Sequence, residues 1–116
     1  MDAFFENIAL PSFIAGIAFS FIGSFMAWSP PKEINGVVGY RTRRSMKSQA
    51  HWDFSQKYSG NIMGVGGLVM AVLSALSYFL PVAVETKQIV GLIALVTLSV
   101  GMIVATEVAL KRKFKD

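Results

Sequence analysis

Residues 58–84 form the run YSGNIMGVGGLVMAVLSALSYFLPVAV, which contains no Asp, Glu, Lys, Arg or His. The stretches 7–31 and 88–106 also lack these residues. An uncharged apolar run of about 18 or more residues is typical of a transmembrane helix, because about 20 residues cross the hydrocarbon core. The sequence therefore predicts an all-α membrane protein. Three transmembrane helices are expected at about residues 8–28, 61–84 and 88–110.

The overall composition supports a membrane protein. The chain has 116 residues, of which 53% are hydrophobic and 16% charged, and it has no cysteine. Soluble domains carry about 25% charged residues. This composition excludes a soluble enzyme, a disulfide-bonded secreted scaffold and a disordered tail. The sequence shows no internal repeat, so residues 1–116 are interpreted as one domain. No base precedes the first span, which is therefore expected to stay in the mature protein rather than act as a cleaved signal.

The positions of the basic residues predict the orientation in the membrane. Of the 11 Lys and Arg residues, six lie between the first two spans and four follow the third, whereas only Lys87 lies between the second and third. Cytoplasmic segments are enriched in these residues. The N-terminus and the 85–87 turn are therefore predicted outside, and the 29–59 loop and the C-terminus in the cytoplasm. Because topology accounts for the net charge of +4, no direct binding of nucleic acid is expected.

Small residues recur at four-residue spacing in the second span. Gly60 and Gly64 are four apart, as are Gly67, Ala71 and Ala75. Such spacing allows two helix backbones to approach closely in lipid. Two partners for this face remain possible, either another helix of a three-helix bundle or helix 2 of a second copy in a homodimer.

The sequence also predicts a helix within the loop between the first two spans. Ser45 is a candidate N-cap for a helix from Met46 to about Ser59 that continues into the second span. The segment combines aromatic and basic residues. It is therefore interpreted either as an amphipathic helix on the inner leaflet or as the solvated start of helix two.

Three candidate site residues lie in the first half of this loop. Asn35 and Gly39 suit tight backbone geometry, because Asn forms turns and Gly permits positive φ. Arg41 carries a planar guanidinium that can bind a carboxylate or phosphate through two hydrogen bonds. A contact with a lipid headgroup is its alternative.

Four further residues complete the candidate site. Thr42 and Ser45 are candidate helix caps, and Trp52 is interpreted as an interfacial or packing residue or as part of a ligand site. Glu107 follows 19 uncharged residues, and acidic residues in spans are usually paired. Its predicted partner is one of the loop arginines Arg41, Arg43 and Arg44, which lie at the same membrane level, or else Lys111 on the same helix.

Catalytic and metal sites are not indicated. His51 is the only histidine and cysteine is absent, so a His- or Cys-based metal site within one chain cannot be built. No phosphate-binding, zinc-protease or nucleophile-elbow motif occurs. We therefore expect no catalytic residue, metal or cofactor. An intramembrane hydrolase based on metal or on the carboxylates of Glu33, Asp53 or Glu107 is the third and weakest functional alternative.

The loop also resembles a known family. The string Asn35-Gly-Val-Val-Gly-Tyr-Arg-Thr-Arg-Arg-Ser45, followed by Trp52 and Gly60, is similar to the SdpI family, in which an Asn, a Gly-x-Arg-Thr, a Thr or Ser and a Trp lie between two hydrophobic spans. The chain departs from that pattern at Arg43, where some members have Pro, and at Gln56, where Asn or Thr is more usual.

The resemblance implies a protein of the bacterial cytoplasmic membrane that confers immunity to a secreted killing peptide. It implies membrane lipids, the peptide or a cytosolic repressor-type protein as partners. The alternative is a regulatory or assembly subunit whose loop docks a soluble protein. The residues expected to bind a ligand or partner are Asn35, Gly39, Arg41, Thr42, Ser45, Trp52 and Glu107.

Overall fold

The computed structural model describes residues 2–115, and of Asp2 it describes only the backbone. This part of the chain is helical and contains no strand. The helices are α1 (Asp2–Glu6), α2 (Leu10–Trp28), α3 (Gln49–Leu76) and α4 (Val84–Phe114), with a 3₁₀ turn over Ser77–Phe79 directly after α3.

Three segments are long and apolar enough to cross a membrane, namely α2, α3 with its 3₁₀ turn, and α4. The 19 residues of α2 extend about 28 Å, close to the roughly 30 Å of the hydrocarbon core. The 28 residues of α3 and 31 of α4 extend well beyond that thickness. The predicted spans are therefore present, but the second helix begins earlier and the third ends later than the uncharged runs.

The bundle has two ends, which we name by their connections. The loop end contains residues 29–48, the first turns of α3 and the last turns of α4. The turn end contains residues 77–83 and α1, whose Phe4 ring lies 5.6 Å from that of Tyr78.

The start of α3 differs from the prediction. The N-cap is Ser48, whose Oγ accepts a hydrogen bond from the backbone N–H of His51 at 3.2 Å, and the helix begins at Gln49. Ser45 is not the cap, because its hydroxyl is engaged with Thr42. From Gln49 the helix continues into the apolar segment without a break. The aromatic and basic segment is therefore the start of α3 rather than a separate helix on the membrane surface.

α2 and α3 pack backbone to backbone through their glycines. A Cβ added to Gly23 would lie 2.3 Å from the backbone N of Gly64, and one added to Gly16 would lie 2.7 Å from that of Ala71. Side chains at these positions would force the helices apart. Of the two arrangements that the spacing left open, the structure shows packing within one chain, with α2 covering the small-residue face of α3.

α4 packs against this pair at separate points. At the turn end, Gly91 approaches the Ser12 hydroxyl closely, and near the middle the Leu98 side chain lies over Gly66. At the loop end, Thr106 and Leu110 are fully buried. Most of the apolar side chains of α4 remain exposed, as expected for a helix that faces lipid.

Candidate functional site

Asn35 shapes the first turn of the loop. Its Oδ1 accepts hydrogen bonds from the backbone N–H groups of Val37 and Val38, at 2.9 and 2.7 Å, and its Nδ2 donates to the carbonyl of Glu33 at 2.9 Å. An Asn side chain that binds the backbone two residues on is a turn-forming device. Asn35 therefore acts on the backbone, as its position in the sequence predicts.

Gly39 allows the loop to press against α3. Its φ is +99°, and a Cβ at this position would lie 2.5 Å from Oε1 of Gln56. Both the dihedral angle and the contact require glycine. Gln56 is fully buried. Its Oε1 accepts from the N–H of Tyr40 at 2.8 Å and its Nε2 donates to the Tyr40 carbonyl at 2.7 Å, so one side chain satisfies both backbone groups of that residue.

Glu107 is the point on α4 at which the loop is attached. Its Oε2 accepts hydrogen bonds from the Tyr40 hydroxyl at 2.7 Å and the Thr42 hydroxyl at 2.9 Å. The Nε of Arg44 lies 3.7 Å from Oε1. The predicted pairing of Glu107 with a loop arginine is therefore found, and of the three arginines that the prediction left open the partner is Arg44.

The hydrogen bonds to Glu107 contribute more to the stability of this attachment than its ion pair does. The side chains of Arg44 and Glu107 are 30% and 31% exposed, and half-exposed ion pairs contribute about 0–1 kcal/mol. Tyr40 is buried. Burial, followed by the hydrogen bond to Glu107 and the charge of that carboxylate, raises the pKa of the Tyr40 phenol above its ordinary value. Tyr40 therefore remains a neutral hydrogen-bond donor at physiological pH.

Thr42 and Ser45 form a closed turn rather than a helix cap. The Ser45 Oγ accepts from the N–H of Thr42 at 2.8 Å, and the N–H of Ser45 donates to the Thr42 Oγ1 at 3.1 Å. Ser45 is fully buried. The reciprocal bonds fix the Thr42 side chain, which then reaches Glu107.

Trp52 anchors the beginning of the loop. It is fully buried, and its Nε1 donates to the carbonyl of Pro31 at 2.7 Å. One turn earlier on α3, Gln49 donates to the carbonyl of Lys32 at 2.6 Å. Of the alternatives open for Trp52, the structure shows a packing residue.

Arg41 lies apart from this network. Its Nη1 donates to the carbonyl of Gly36, and its side chain is exposed. Arg41 therefore does not bind Glu107, the carboxylate that its predicted membrane level placed nearest. It lies between Tyr40 and Thr42, whose hydroxyls reach Glu107, whereas its own guanidinium bonds to the loop backbone on the exposed side.

Two residues of the network, Tyr40 and Gln56, were not predicted from the sequence, whereas Arg44 was one of three candidate arginines. The spacing of Tyr40 and Thr42 carried a usable signal, because residues two apart in an extended segment share a side. Gln56 carried no such signal. Its role follows from the close approach at Gly39, which only the folded chain shows.

The site is suited to holding the surface of the loop in a fixed conformation. Glu107 already receives two hydroxyl donors and faces a guanidinium, so its oxygens are engaged within the chain. Within residues 2–115, no group of three or more His, Asp and Glu side chains is placed to hold a metal ion. The network fixes the loop backbone, and Arg41 and Arg43 are exposed on its surface.

Comparisons with known proteins agree with this architecture. The sequence matches the SdpI/YfhL protein family over residues 32–106, which include most of the loop, all of α3 and most of α4. It is 51% identical over 47 residues to the uncharacterized protein YfhL of Bacillus subtilis (strain 168). That alignment covers 40% of this chain and 43% of the relative, so it spans less than half of the relative's length. No solved structure matches the chain. Because the family match includes every loop residue that contacts Glu107, and more than half of the chain, the protein belongs to the SdpI/YfhL protein family.

Proposed function

We propose that this protein is an integral membrane immunity protein that protects a bacterium against a membrane-active antimicrobial peptide. Its membership of the SdpI/YfhL family supports the proposal, since the SdpI resemblance implies immunity to a secreted killing peptide. The observation that carries it is the fixed loop: Tyr40 and Thr42 bond to Glu107, and Asn35 and Trp52 bond to the loop backbone.

A fixed loop favours recognition over catalysis. Tyr40, Thr42 and Gln56 hold the loop backbone, so its exposed arginines need little further ordering when a ligand binds, and such preorganisation strengthens binding. Arg41 retains guanidinium donors beyond its bond to Gly36, and we propose that these bind a carboxylate of the peptide. In the same proposal the protein is not an enzyme, because its central carboxylate serves to attach the loop.

The test is survival of a peptide-sensitive bacterium that expresses the protein. Expression should raise survival against at least one peptide in a panel of cationic and hydrophobic killing peptides. Unchanged survival across the whole panel contradicts the proposal.

Arg41 gives a finer test. Arg41→Lys keeps the charge but removes the two-pronged donor, so protection should fall at normal membrane levels. Arg43→Lys is the matched control and should protect fully. Arg44 is unsuitable as a control, because it faces Glu107. Equal protection by both lysine variants excludes a specific role for the Arg41 guanidinium.

We propose further that the protein lies in the cytoplasmic membrane with its loop end inside. All bases except Lys87 lie at that end, in accord with the positive-inside rule. The natural chain has no cysteine, so Met46→Cys and Glu85→Cys each introduce one thiol at an exposed position. An impermeant thiol reagent should label only position 85 in intact cells. Labelling at position 46 would contradict the proposed orientation and place the loop end outside.

A further inference from the structure

An elongated groove of about 870 Å³ lies between α3 and α4 at the turn end. Its volume falls in the range of about 300–1,000 Å³ typical of small-molecule sites. On α4 it runs from Thr86 to Leu98, twelve residues or about 18 Å. This length is close to that of one leaflet, half of a hydrocarbon core of roughly 30 Å. The walls are mainly apolar and include Val69, Met70, Leu73, Val90 and Ile93.

Four hydroxyl groups that border the groove, those of Ser12, Ser74, Ser77 and Thr97, already have partners. The Oγ atoms of Ser12 and Ser74 are hydrogen-bonded to each other at 2.6 Å. The Ser77 Oγ accepts from the N–H of Ala9 at 3.1 Å and donates to the Ser74 carbonyl. An apolar chain in the groove would therefore leave these hydroxyl groups hydrogen-bonded. It would avoid the free-energy cost of burying a polar group without a partner.

Lys87 lies at the mouth of the groove, where the chain covers its side chain. It is only 7% exposed, and its Nζ donates to the neutral carbonyl of Asn7 at 2.8 Å. Among the side chains that the structure describes, no carboxylate forms an ion pair with it; the one ion pair found joins Arg44 and Glu107 at the opposite end. A covered ammonium without a counter-charge is unfavourable, so an anion at this position would stabilise it.

We propose that the groove binds one anionic phospholipid, with an acyl chain between α3 and α4 and the phosphate at the Lys87 ammonium. The single-leaflet length, the apolar walls and the uncompensated cation at the end near the headgroups together favour this ligand. The inference does not depend on the proposed immunity function, because no residue of the groove belongs to the loop site.

Native mass spectrometry of the purified full chain tests the inference by counting bound lipids. Lys111, Arg112 and Lys113 are first replaced by Gln, so that the basic tail at the loop end does not bind lipid. Dioleoyl phosphatidylglycerol should then bind more tightly than dioleoyl phosphatidylcholine. Lys87→Gln should weaken phosphatidylglycerol binding about fivefold, whereas Lys87→Arg should retain it.

A second pair of variants tests the groove itself. Ala94 lines the groove, so Ala94→Phe should fill it and reduce binding of both lipids. Val96 is 60% exposed and does not line the groove, so Val96→Phe is the matched control and should bind like the parent.

Three results overturn the proposal. One is equal affinity of the parent for the two lipids. Another is unchanged phosphatidylglycerol binding in both Lys87→Gln and Ala94→Phe. The third is a protein dimer that only Ala94→Phe abolishes, since a second copy would then occupy the groove. Lys87→Gln and Ala94→Phe must keep the helical circular dichroism spectrum of the parent, so that loss of binding is not loss of fold.

Discussion

The α2–α3 interface and the attachment of α4 hold helices together in different ways. α2 and α3 approach backbone to backbone at Gly16 and Gly23, two turns apart, so the close contact extends over at least two turns of each helix. α4 has its polar attachments at its two ends, through Glu107 at the loop end and Lys87 at the turn end. Between them lies the groove.

The difference shows how a small membrane protein can combine a fixed core with a helix that leaves space for a ligand. Lipid tails are as apolar as the helix faces, so helices associate through close van der Waals packing and polar contacts rather than through the hydrophobic effect. Glycines supply the first kind of contact for α2 and α3. Side chains near the membrane surfaces supply the second kind for α4, and a groove remains beside its first half.

The largest expected effect breaks the glycine interface. In Gly23→Ala the new methyl would overlap the backbone of α3, so the free energy of unfolding should fall by about 3 kcal/mol. Denaturant titration in detergent micelles, followed by circular dichroism, measures the change.

Gly101→Ala is the matched control for that experiment. A Cβ at Gly101 meets no atom within 4 Å, and alanine is the better helix former, so stability should be equal or higher. If the two alanine variants lose the same stability, close packing at Gly23 does not hold the helices together.

The second largest effect is expected from a substitution that detaches α4 from the loop. Glu107→Ala removes the acceptor of the Tyr40 and Thr42 hydroxyls and the counter-charge of Arg44. Leaving such donors without a partner should cost about 2 kcal/mol. Hydrogen exchange should accelerate at the Tyr40 amide, which is bonded to Gln56, while amides of α2 keep their protection.

The exposed Glu85, at the opposite end of α4, provides the control. Glu85→Ala should cost less than about 1 kcal/mol, the typical contribution of an acidic residue near a helix N-terminus, and should leave exchange in the loop unchanged. Slow exchange of the Tyr40 amide in Glu107→Ala would show that Gln56 alone holds the loop.

The smallest effect concerns the protonation of Tyr40. Its pKa is raised in the folded chain, so the folded state favours the neutral phenol. The resulting stability is fully present below the ordinary tyrosine pKa of about 10 and is lost as the pH rises through the higher, folded-state value. Tyr40→Phe should cost about 1 kcal/mol at neutral pH.

Comparing the two proteins across pH isolates this contribution. Unfolding free energies measured from about pH 8 to pH 11 should show the difference between wild type and Tyr40→Phe shrinking only above about pH 10. A difference that already disappears near pH 8 contradicts the raised pKa.

The loop site was predictable where local chemistry decides the structure. Asn35 and Gly39 act on the backbone, as their residue types suggest. Glu107 is bound by the loop, as expected for a carboxylate at the end of an apolar span. Which of the three loop arginines meets Glu107 was not predictable. It depends on which side of the loop faces α4, and hence on the packing of Gly39 against Gln56.

The sequence by itself determined that the chain is helical, that three segments can cross a membrane and that the loop carries a family motif. These properties follow from the length of the apolar runs and from residue types at fixed local spacing. The tertiary structure alone decided that α2 covers the glycines of α3, that α3 begins at Gln49, and that a groove stays open beside Lys87. Each of these depends on how closely residues distant in sequence approach one another, and hence on backbone geometry that no single segment encodes.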